Sequence, residues 1–349
     1  MKVSYLLGAG ASALALPVVA NMNDRFDRFN KYLSETFNDL PKANSLAASI
    51  LDGIKEHATV DTYAKKLFLQ DSEVELLELK FYLSLFFIFE QSGFYYQHFQ
   101  DKTQENIVEN KRYRNDSVDP RYDPFLASLL NKTDGGLVLP NNVNIISWNY
   151  DSQLELAYMP FAKCDIDEAL SKLNAIPPNE QGNSGSSFVK MNGTAALLQN
   201  KDGKHFNAWR DYQYDLHEDF RDQIEKFSEI KTAYKIDMVK EMNKPTLNFA
   251  WEKYQPNAQR SFVEAKRIMT ETDILVIIGY TFPNFNREID RAVLGRFSKK
   301  GRKIYYQSRK KELDGLTTRL RSILPSEIAE KIEIIPYYDL NQFCIPLEL

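Results

Sequence analysis

Cysteine is nearly absent: the 349-residue chain has two, Cys164 and Cys344, far apart in sequence. Two thiols cannot build a four-cysteine zinc site within the chain, and so few suit a reducing cytoplasm. Histidine is scarce as well. His57, His98, His205 and His217 are the four, and none directly follows an apolar, strand-like run. A surface position is the plain reading of each, although His205 and His217 lie after the strand-like run before Asn192 and could reach a site there. No hydrophobic run is long. The most apolar stretch, Leu76 to Phe89, contains Glu78, Lys80 and Ser84 and falls short of the ~20 residues that cross a bilayer, so it reads as a buried helix. Lys2 is the one charged residue before the apolar Val3–Leu7, and glycines follow at once, which is not the build of a signal peptide. No sign of charge dominates: the net charge is −4, and nothing global favours nucleic acid. No internal repeat stands out.

What is present is ordinary in bulk and specific in order. With 43% hydrophobic and 26% charged residues, the composition is that of a globular protein. The length allows one large α/β domain with insertions, or two domains. Three apolar runs stop abruptly at small and polar residues. Val3–Leu7 meets Gly8-Ala9-Gly10-Ala11-Ser12. Val143–Ser147 meets Trp148-Asn149-Tyr150-Asp151. Asp273–Ile278 meets Gly279-Tyr280-Thr281-Phe282-Pro283. In an open α/β sheet, ligands bind just beyond the carboxyl ends of the strands. Three such ends predict one nucleotide pocket.

The rest of the pattern predicts how the sheet is assembled. From Met22 to about Gly136 the signals are mainly helical. Phe26, Phe29, Leu33, Phe37 and Leu40 recur at three- and four-residue steps, and Leu67–Phe99 is a second, aromatic-rich helical stretch. Lys111–Tyr122 and Pro177–Ser187 read as loops. Ser152-Gln153-Leu154-Glu155 has the form of a capping box and predicts a helix to about Tyr158. Phe188–Met191 is a short strand. A long helix places Leu216, Phe220, Ile224, Phe227, Ile230, Tyr234, Met238 and Met242 on one face. A helix over 257–271 leads into strand Ile274–Ile278. Helices near 287–297 and 312–323 then alternate with strands Lys303–Gln307 and Ile332–Ile335. Strands alternating with helices imply parallel pairing and right-handed crossovers. The expected fold is therefore α/β: a Rossmann-like parallel sheet built from 1–21, 137–193 and 257–349, with two mainly helical insertions at 22–136 and 194–256.

Gly8 and Gly10 follow a strand, where a phosphate-binding turn belongs, because glycine lets backbone N–H groups approach an anion closely. A turn with no ligand is the equally plain alternative. The dehydrogenase form of this motif needs a short helix, a second strand and an acidic residue about 20 positions on. Here Leu16-Pro17 and a helical region follow, and Asp24 and Asp27 fall on a helical pattern. The pattern therefore argues against a hydride-transferring dehydrogenase. Asn149 and Asp151 sit where strand passes into helix. Either could cap that helix. Beside the other two strand ends, the functional reading places Asn149 at a ribose or a water and makes Asp151 a brace for the loop.

Gly8-Ala9-Gly10-Ala11-Ser12 with Leu16-Pro17, then Ser147-Trp148-Asn149-Tyr150-Asp151, then Lys190-Met191-Asn192-Gly193, then Ile278-Gly279-Tyr280-Thr281 resemble the ordered motifs of the sirtuin (Sir2-like) superfamily. The likeness is to the bacterial Sir2-like domains of antiphage defence systems, and it covers the sheet segments, roughly half of the chain. It implies that NAD is bound and consumed as substrate, with no metal. It implies a binding role for Gly8, Ala9, Gly10 and Ser12 at the phosphates, and for Gly279, Tyr280 and Thr281 towards the adenosine half. The candidate catalytic set is Asn149, Asn192 and Asp151.

Two departures qualify the resemblance. Protein-deacylating sirtuins carry a four-cysteine zinc ribbon, which this chain cannot build, so NAD cleavage as such is favoured over deacylation. The family also has a histidine before glycine where this chain has Asn192-Gly193. Asn-Gly is a common tight-turn pair. Three explanations stand for position 192: an enzyme that works with asparagine, a His→Asn substitution that silences a toxic hydrolase, or a non-catalytic NAD or ADP-ribose-binding module that regulates a partner protein. Asparagine hydrogen-bonds a hydroxyl but takes up no proton at neutral pH, so binding should survive better than turnover. The leading expectation is a cytoplasmic NAD+ glycohydrolase, a defence effector that releases nicotinamide and ADP-ribose. Its partners would be further copies of itself or a second defence-system protein, with no membrane. The basic clusters Lys299-Lys300-Gly301-Arg302-Lys303 and Arg309-Lys310-Lys311 read as a solvated face and leave a nucleic-acid contact open.

Overall fold

Leu7, Ser147 and Ile278 end three neighbouring strands at the same level, and the fold can be built outward from them. In the computed structural model the described residues are 1–18, 21–92, 118–178, 185–207, 216–236, 238, 242–297 and 303–349. Twelve strands are described, numbered in chain order. They are β1 (Val3–Leu7), β2 (Asn131–Thr133), β3 (Gly136–Val138), β4 (Val143–Ser147), β5 (Ala175–Ile176) and β6 (Phe188–Lys190). After these come β7 (Leu197–Gln199), β8 (His205–Asn207), β9 (Lys244–Pro245), β10 (Ile274–Ile278), β11 (Lys303–Gln307) and β12 (Glu333–Tyr337).

Seven of them form one sheet in the order β12-β11-β10-β1-β4-β6-β5, and every pairing in it is parallel. The register is even: Val3 to Leu7 stand opposite Ile274 to Ile278 on one side and Val143 to Ser147 on the other. β1, β4 and β10 are buried along their whole length. Helices cover such a sheet on both faces, which is why its strands read as continuous apolar runs. From β1 the chain builds outward through β4 to one edge, then returns to β10 and builds through β11 and β12 to the other. The direction of winding reverses between β1 and β10, the switch point at which α/β sheets bind ligands. The protein is thus an α/β protein with a Rossmann-like sheet.

The chain divides into two compact units. The first is Met1–Ala13, Asp119–Gly193 and Asn248–Leu349; the second is Leu14–Val118 and Thr194–Leu247. The first unit holds the seven-stranded sheet, the β2–β3 hairpin and a buried cluster that includes Leu6, Ile146, Met191, Leu275, Ile277, Leu294 and Ile304.

The second unit is mainly helical. Its helix Glu73–Gln91 is buried from Leu79 onward except at Lys80, as the apolar Leu76–Phe89 run predicts. Phe26 and Phe29 pack on Tyr82 and Phe86, and Tyr32 on Phe89. Buried Glu90 pairs with Arg25. β7, β8 and β9 form a small antiparallel sheet in this unit.

Several elements differ from the sequence pattern. The stretch from Leu67 is two helices, Val60–Leu69 and Glu73–Gln91, because Asp71 adopts φ +52° between them; residues 93–99 lie outside the described ones. The long helix is Leu216–Lys235. Phe220, Ile224, Phe227 and Ile230 are buried, whereas Tyr234 and Met238 are exposed, so its apolar face is buried along only part of the pattern. Tyr122, expected in a loop, begins the helix Tyr122–Leu129; residues 111–117 of that loop lie outside the described ones. The sequence pattern did not reveal β5 or the two small sheets. Of the basic clusters, Lys299 to Arg302 lie outside the described residues, while Lys303 pairs with Glu348 at 2.9 Å and Arg309 with Glu312 at 3.4 Å. Among the described residues no helix is long and apolar enough to cross a membrane.

Candidate functional site

The two glycine-containing turns at the switch point touch backbone to backbone. A Cβ on Gly8 would lie 2.6 Å from Tyr280 Cα, one on Gly10 2.6 Å from Gly279 Cα, and one on Gly279 2.4 Å from Gly10 Cα. Gly279 also has φ +64°, a conformation that costs other residues. The Gly8 N–H donates to Ile278 O at 3.0 Å, Gly10 N–H to Gly279 O at 3.0 Å, and Ala11 N–H to Gly8 O at 2.8 Å. These three N–H groups are therefore spent on protein carbonyls. The glycines allow two turns from distant parts of the chain to interlock, and Ala9 is the exposed residue of the first turn.

Ser12 ends this turn and is buried. Its Oγ accepts from Asn149 Nδ2 at 3.3 Å, and its hydroxyl offsets part of the upward pKa shift that burial gives the Asp151 carboxyl and the Tyr122 hydroxyl. The end of β1 and the end of β4 are thereby tied through one hydroxyl. Asn149 is held a second time, its backbone N–H donating to Ser147 Oγ at 3.1 Å. Asp151 Oδ1 accepts from Gln153 N at 3.2 Å, so Asp151 caps the helix Gln153–Ala162. Ser152 makes no cap hydrogen bond, and Glu155 turns instead to Lys190. This corrects the expected capping box: a buried ammonium outcompetes a backbone N–H for the Glu155 carboxylate.

That pair is deeply buried. Lys190 Nζ lies 3.2 Å from Glu155 Oε1, and both side chains are 1% exposed. The same ammonium donates to the Asp151 carbonyl. Burial pushes the Asp151 and Glu155 carboxyls above the usual carboxylate range, and Lys190 partly offsets it. A second buried pair holds the glycine turn. Arg121 reaches Asp119 through Nε at 2.8 Å and Nη2 at 2.6 Å. Its Nη2 also donates to Gly10 O at 2.9 Å and its Nη1 to Leu340 O at 3.4 Å. Asp119 N donates to Gln153 Oε1 at 2.7 Å, which closes the network. Sequence reasoning missed Asp119 and Arg121 altogether. Lys190 had a signal, a lysine inside the apolar run Phe188-Val189-Lys190-Met191.

Asn192 follows β6 in the same network. It is 6% exposed. Its Nδ2 donates to Trp148 O at 3.0 Å, next to Asn149, and its backbone carbonyl accepts from Asn248 N at 2.8 Å. Its Oδ1 is buried with no hydrogen-bond partner. A buried acceptor without a donor costs free energy unless a ligand or water supplies one.

The third strand end divides into two roles. Tyr280 turns inward: its ring stacks on Trp148 with centroids 5.8 Å apart, and its hydroxyl donates to buried Asp290, 2.9 Å from each oxygen. Asn286 Nδ2 donates to that hydroxyl at 3.0 Å. Burial raises the Asp290 carboxyl to about 8, against the pull of hydrogen bonds from Tyr280 and Trp148. Thr281 is exposed, and its carbonyl accepts from Arg319 at 3.2 Å. Phe282 holds φ +54°, uncommon for a bulky residue.

Asn149, Asp151, Ser12 and Asn192 are thus linked through one network in the first unit, beside the interlocked Gly8–Gly10 and Gly279 turns. Of the histidines, His57 bonds Gly53 O at 2.7 Å and His205 lies on β8 of the second unit; His98 and the side chain of His217 lie outside the described residues. Among the described residues no group of three or more His, Cys, Asp or Glu is placed to hold a metal ion. The fold and site define a Rossmann-like α/β protein with a polar, buried network at its switch point. No protein-family model matches the chain, and no curated protein matches it.

Proposed function

We propose that the chain is a Sir2-like NAD+ hydrolase that cleaves the nicotinamide–ribose bond and releases nicotinamide and ADP-ribose. The observation that carries the proposal is the pair of buried amides just beyond the carboxyl ends of β4 and β6. Asn149 is fixed by Ser12 and by Ser147, and Asn192 keeps a buried acceptor with no donor. A ribose hydroxyl is such a donor. The order of the strand-end motifs supports the family likeness, in which the helical unit is an insertion into a Sir2 core.

The chemistry asks little of the protein beyond holding and exclusion. Nicotinamide leaves as a neutral molecule from a cationic ring, so the leaving group needs no proton. The transition state has oxocarbenium character, as in other glycosidic cleavage. Asn149 orients the ribose or the attacking water, Asn192 Oδ1 accepts from a ribose hydroxyl, and Asp151 braces the loop between them. As a cellular role, the likeness supports NAD depletion in antiphage defence, with the helical unit offering surface for self-assembly or for a second defence-system protein.

A non-catalytic NAD or ADP-ribose-binding module is the second reading. It is favoured by one observation: Asn192 cannot take a proton from the hydroxyl it would accept from. Incubation with NAD+, followed by quantification of nicotinamide and ADP-ribose, separates the two. On the hydrolase reading Asn192→His raises nicotinamide release, and Asn149→Ala abolishes whatever release there is. Binding without products in both the unaltered chain and the Asn192→His variant supports the module. No gain from Asn192→His together with no loss from Asn149→Ala overturns the site assignment.

A further inference from the structure

Asp290 is a buried carboxyl that has no part in the hydrolysis described above. It lies on the helix Arg287–Leu294 and is 2% exposed. The same helix packs Ile289, Val293 and Leu294 into the apolar cluster that holds Trp148 and Tyr280. A carboxyl gives up its hydration on burial, so packing alone favours a leucine at this place. What a carboxyl adds is direction, because its two oxygens fix the groups that donate to them.

That direction leads to the site. The Tyr280 hydroxyl donates to Asp290, 2.9 Å from each oxygen, and accepts from Asn286 Nδ2 at 3.0 Å. The Tyr280 carbonyl accepts from the Tyr306 hydroxyl at 2.7 Å, so Tyr280 is held at its main chain and at its tip. Its ring lies parallel to the Trp148 indole, with planes 6° and centroids 5.8 Å apart. The Trp148 side chain also acts on Asp290 itself, opposing the rise in pKa that burial gives the carboxyl. Trp148 in turn carries both amides. Its carbonyl accepts from Asn192 Nδ2 at 3.0 Å, and Asn149 is the next residue in the chain. A helix that follows β10 is thereby joined to the ends of β4 and β6 through one stacked pair of rings.

We propose that Asp290 is a positioning residue for the site: by fixing Tyr280 and Trp148, it sets where Asn149 and Asn192 present their amides to the ribose. The inference rests on the NAD reading above. Asn192 Oδ1 keeps one direction only while its Nδ2 stays on Trp148 O. Trp148 keeps its place only while Tyr280 backs it, and the Tyr280 ring is oriented by the carboxyl at its tip. A shift of the indole therefore moves both amides together. Groups held by such a supporting shell lose much of their effect when they are displaced by about 1 Å. Asp290 itself touches no ligand.

Calorimetric titration of the full chain with carba-NAD+ and with AMP tests this. The cyclopentane of carba-NAD+ prevents cleavage, and AMP lacks the ribose assigned to the two amides. Asp290→Leu is expected to weaken carba-NAD+ by about tenfold and to leave AMP within about twofold. Asp290→Asn keeps an oxygen for the Tyr280 hydroxyl and should recover most of the loss. Tyr280→Phe removes that hydroxyl and keeps the ring; it should weaken carba-NAD+ in the same selective way, and it serves if the leucine variant does not fold. In an Asn192→Ala chain, where the amide held by Trp148 is gone, Asp290→Leu should cost about threefold or less. Equal weakening of both ligands overturns the inference, as does a tenfold loss that persists in the Asn192→Ala chain. So does an unchanged affinity for carba-NAD+ in both Asp290→Leu and Tyr280→Phe. In each of these cases the NAD reading stands. If the unaltered chain binds neither ligand, the NAD reading itself fails, and the positioning role with it.

Discussion

Gly10 and Gly279 touch main chain to main chain, although 269 positions separate them in sequence: Gly10 N–H donates to Gly279 O at 3.0 Å, and a Cβ on either would fall within 2.6 Å of the other's Cα. Turn geometry is the usual reason for glycine at a strand end. Here mutual exclusion of side chains is the stronger reason, because neither turn can withdraw without breaking the even register of β1 and β10.

Gly279→Ala and Gly10→Ala should therefore destabilise the first unit. The first substitution adds positive-φ strain to the clash, and each is expected to cost more than about 2 kcal/mol. Ala9→Ser, at the exposed position of the same turn, should stay within about 0.5 kcal/mol of the unaltered protein. Denaturant unfolding followed by circular dichroism measures all three. Equal midpoints for Gly279→Ala and Ala9→Ser would show that the turns are not interlocked.

Lys190 and Glu155 form an ion pair with almost no exposure, and breaking such a pair is costly because one charge is left buried alone. Lys190→Met should cost about 3 to 5 kcal/mol. The double change Lys190→Met, Glu155→Leu should cost less than the sum of the two single changes, by at least about 1 kcal/mol. Strict additivity in that cycle would mean the two side chains do not interact.

Asp290 titrates at about 8 in the folded protein and at about 3.9 when unfolded. Between those values the folded state binds a proton that the unfolded state releases. Stability is then greatest below about pH 4 on this group's account and falls as pH rises through about 8. Asp151 and Glu155, also shifted upward, act in the same direction. Asp290→Asn should flatten the fall in Tm between about pH 5 and about pH 9, because the amide has no proton to lose. An unchanged pH profile would show that the carboxyl is already ionised at the acid end of that range.

The central strands were legible because a fully buried parallel strand is a short apolar run with a hard stop, and Val3–Leu7, Val143–Ser147 and Ile274–Ile278 all have that form. β5, two residues long and next to Pro177, has too little sequence to carry a pattern. The site was legible as positions but not as contacts. Asn149, Asp151 and Asn192 follow strands and could be read from that alone. Arg121 reaches Gly10 from a segment with no strand before it, and its partner Asp119 is two residues away, a spacing that looks like any surface pair. Tyr280 follows a strand and still turns inward, because Trp148 and Asp290 offer its ring and hydroxyl a buried home. The Ser152 capping box is absent for a similar reason: Glu155 has a tertiary partner, Lys190, that local spacing cannot show.

The sheet order has a consequence for biosynthesis. β1 is made well before one of its two neighbours, β10, which follows it only after most of the described elements. Until residues near 280 have been made, the first turn has nothing to lock against, and the polar network lacks one wall. A growing chain of this protein therefore carries no finished site, whatever that site binds. If the site does destroy a metabolite, the delay itself protects the cell that makes it.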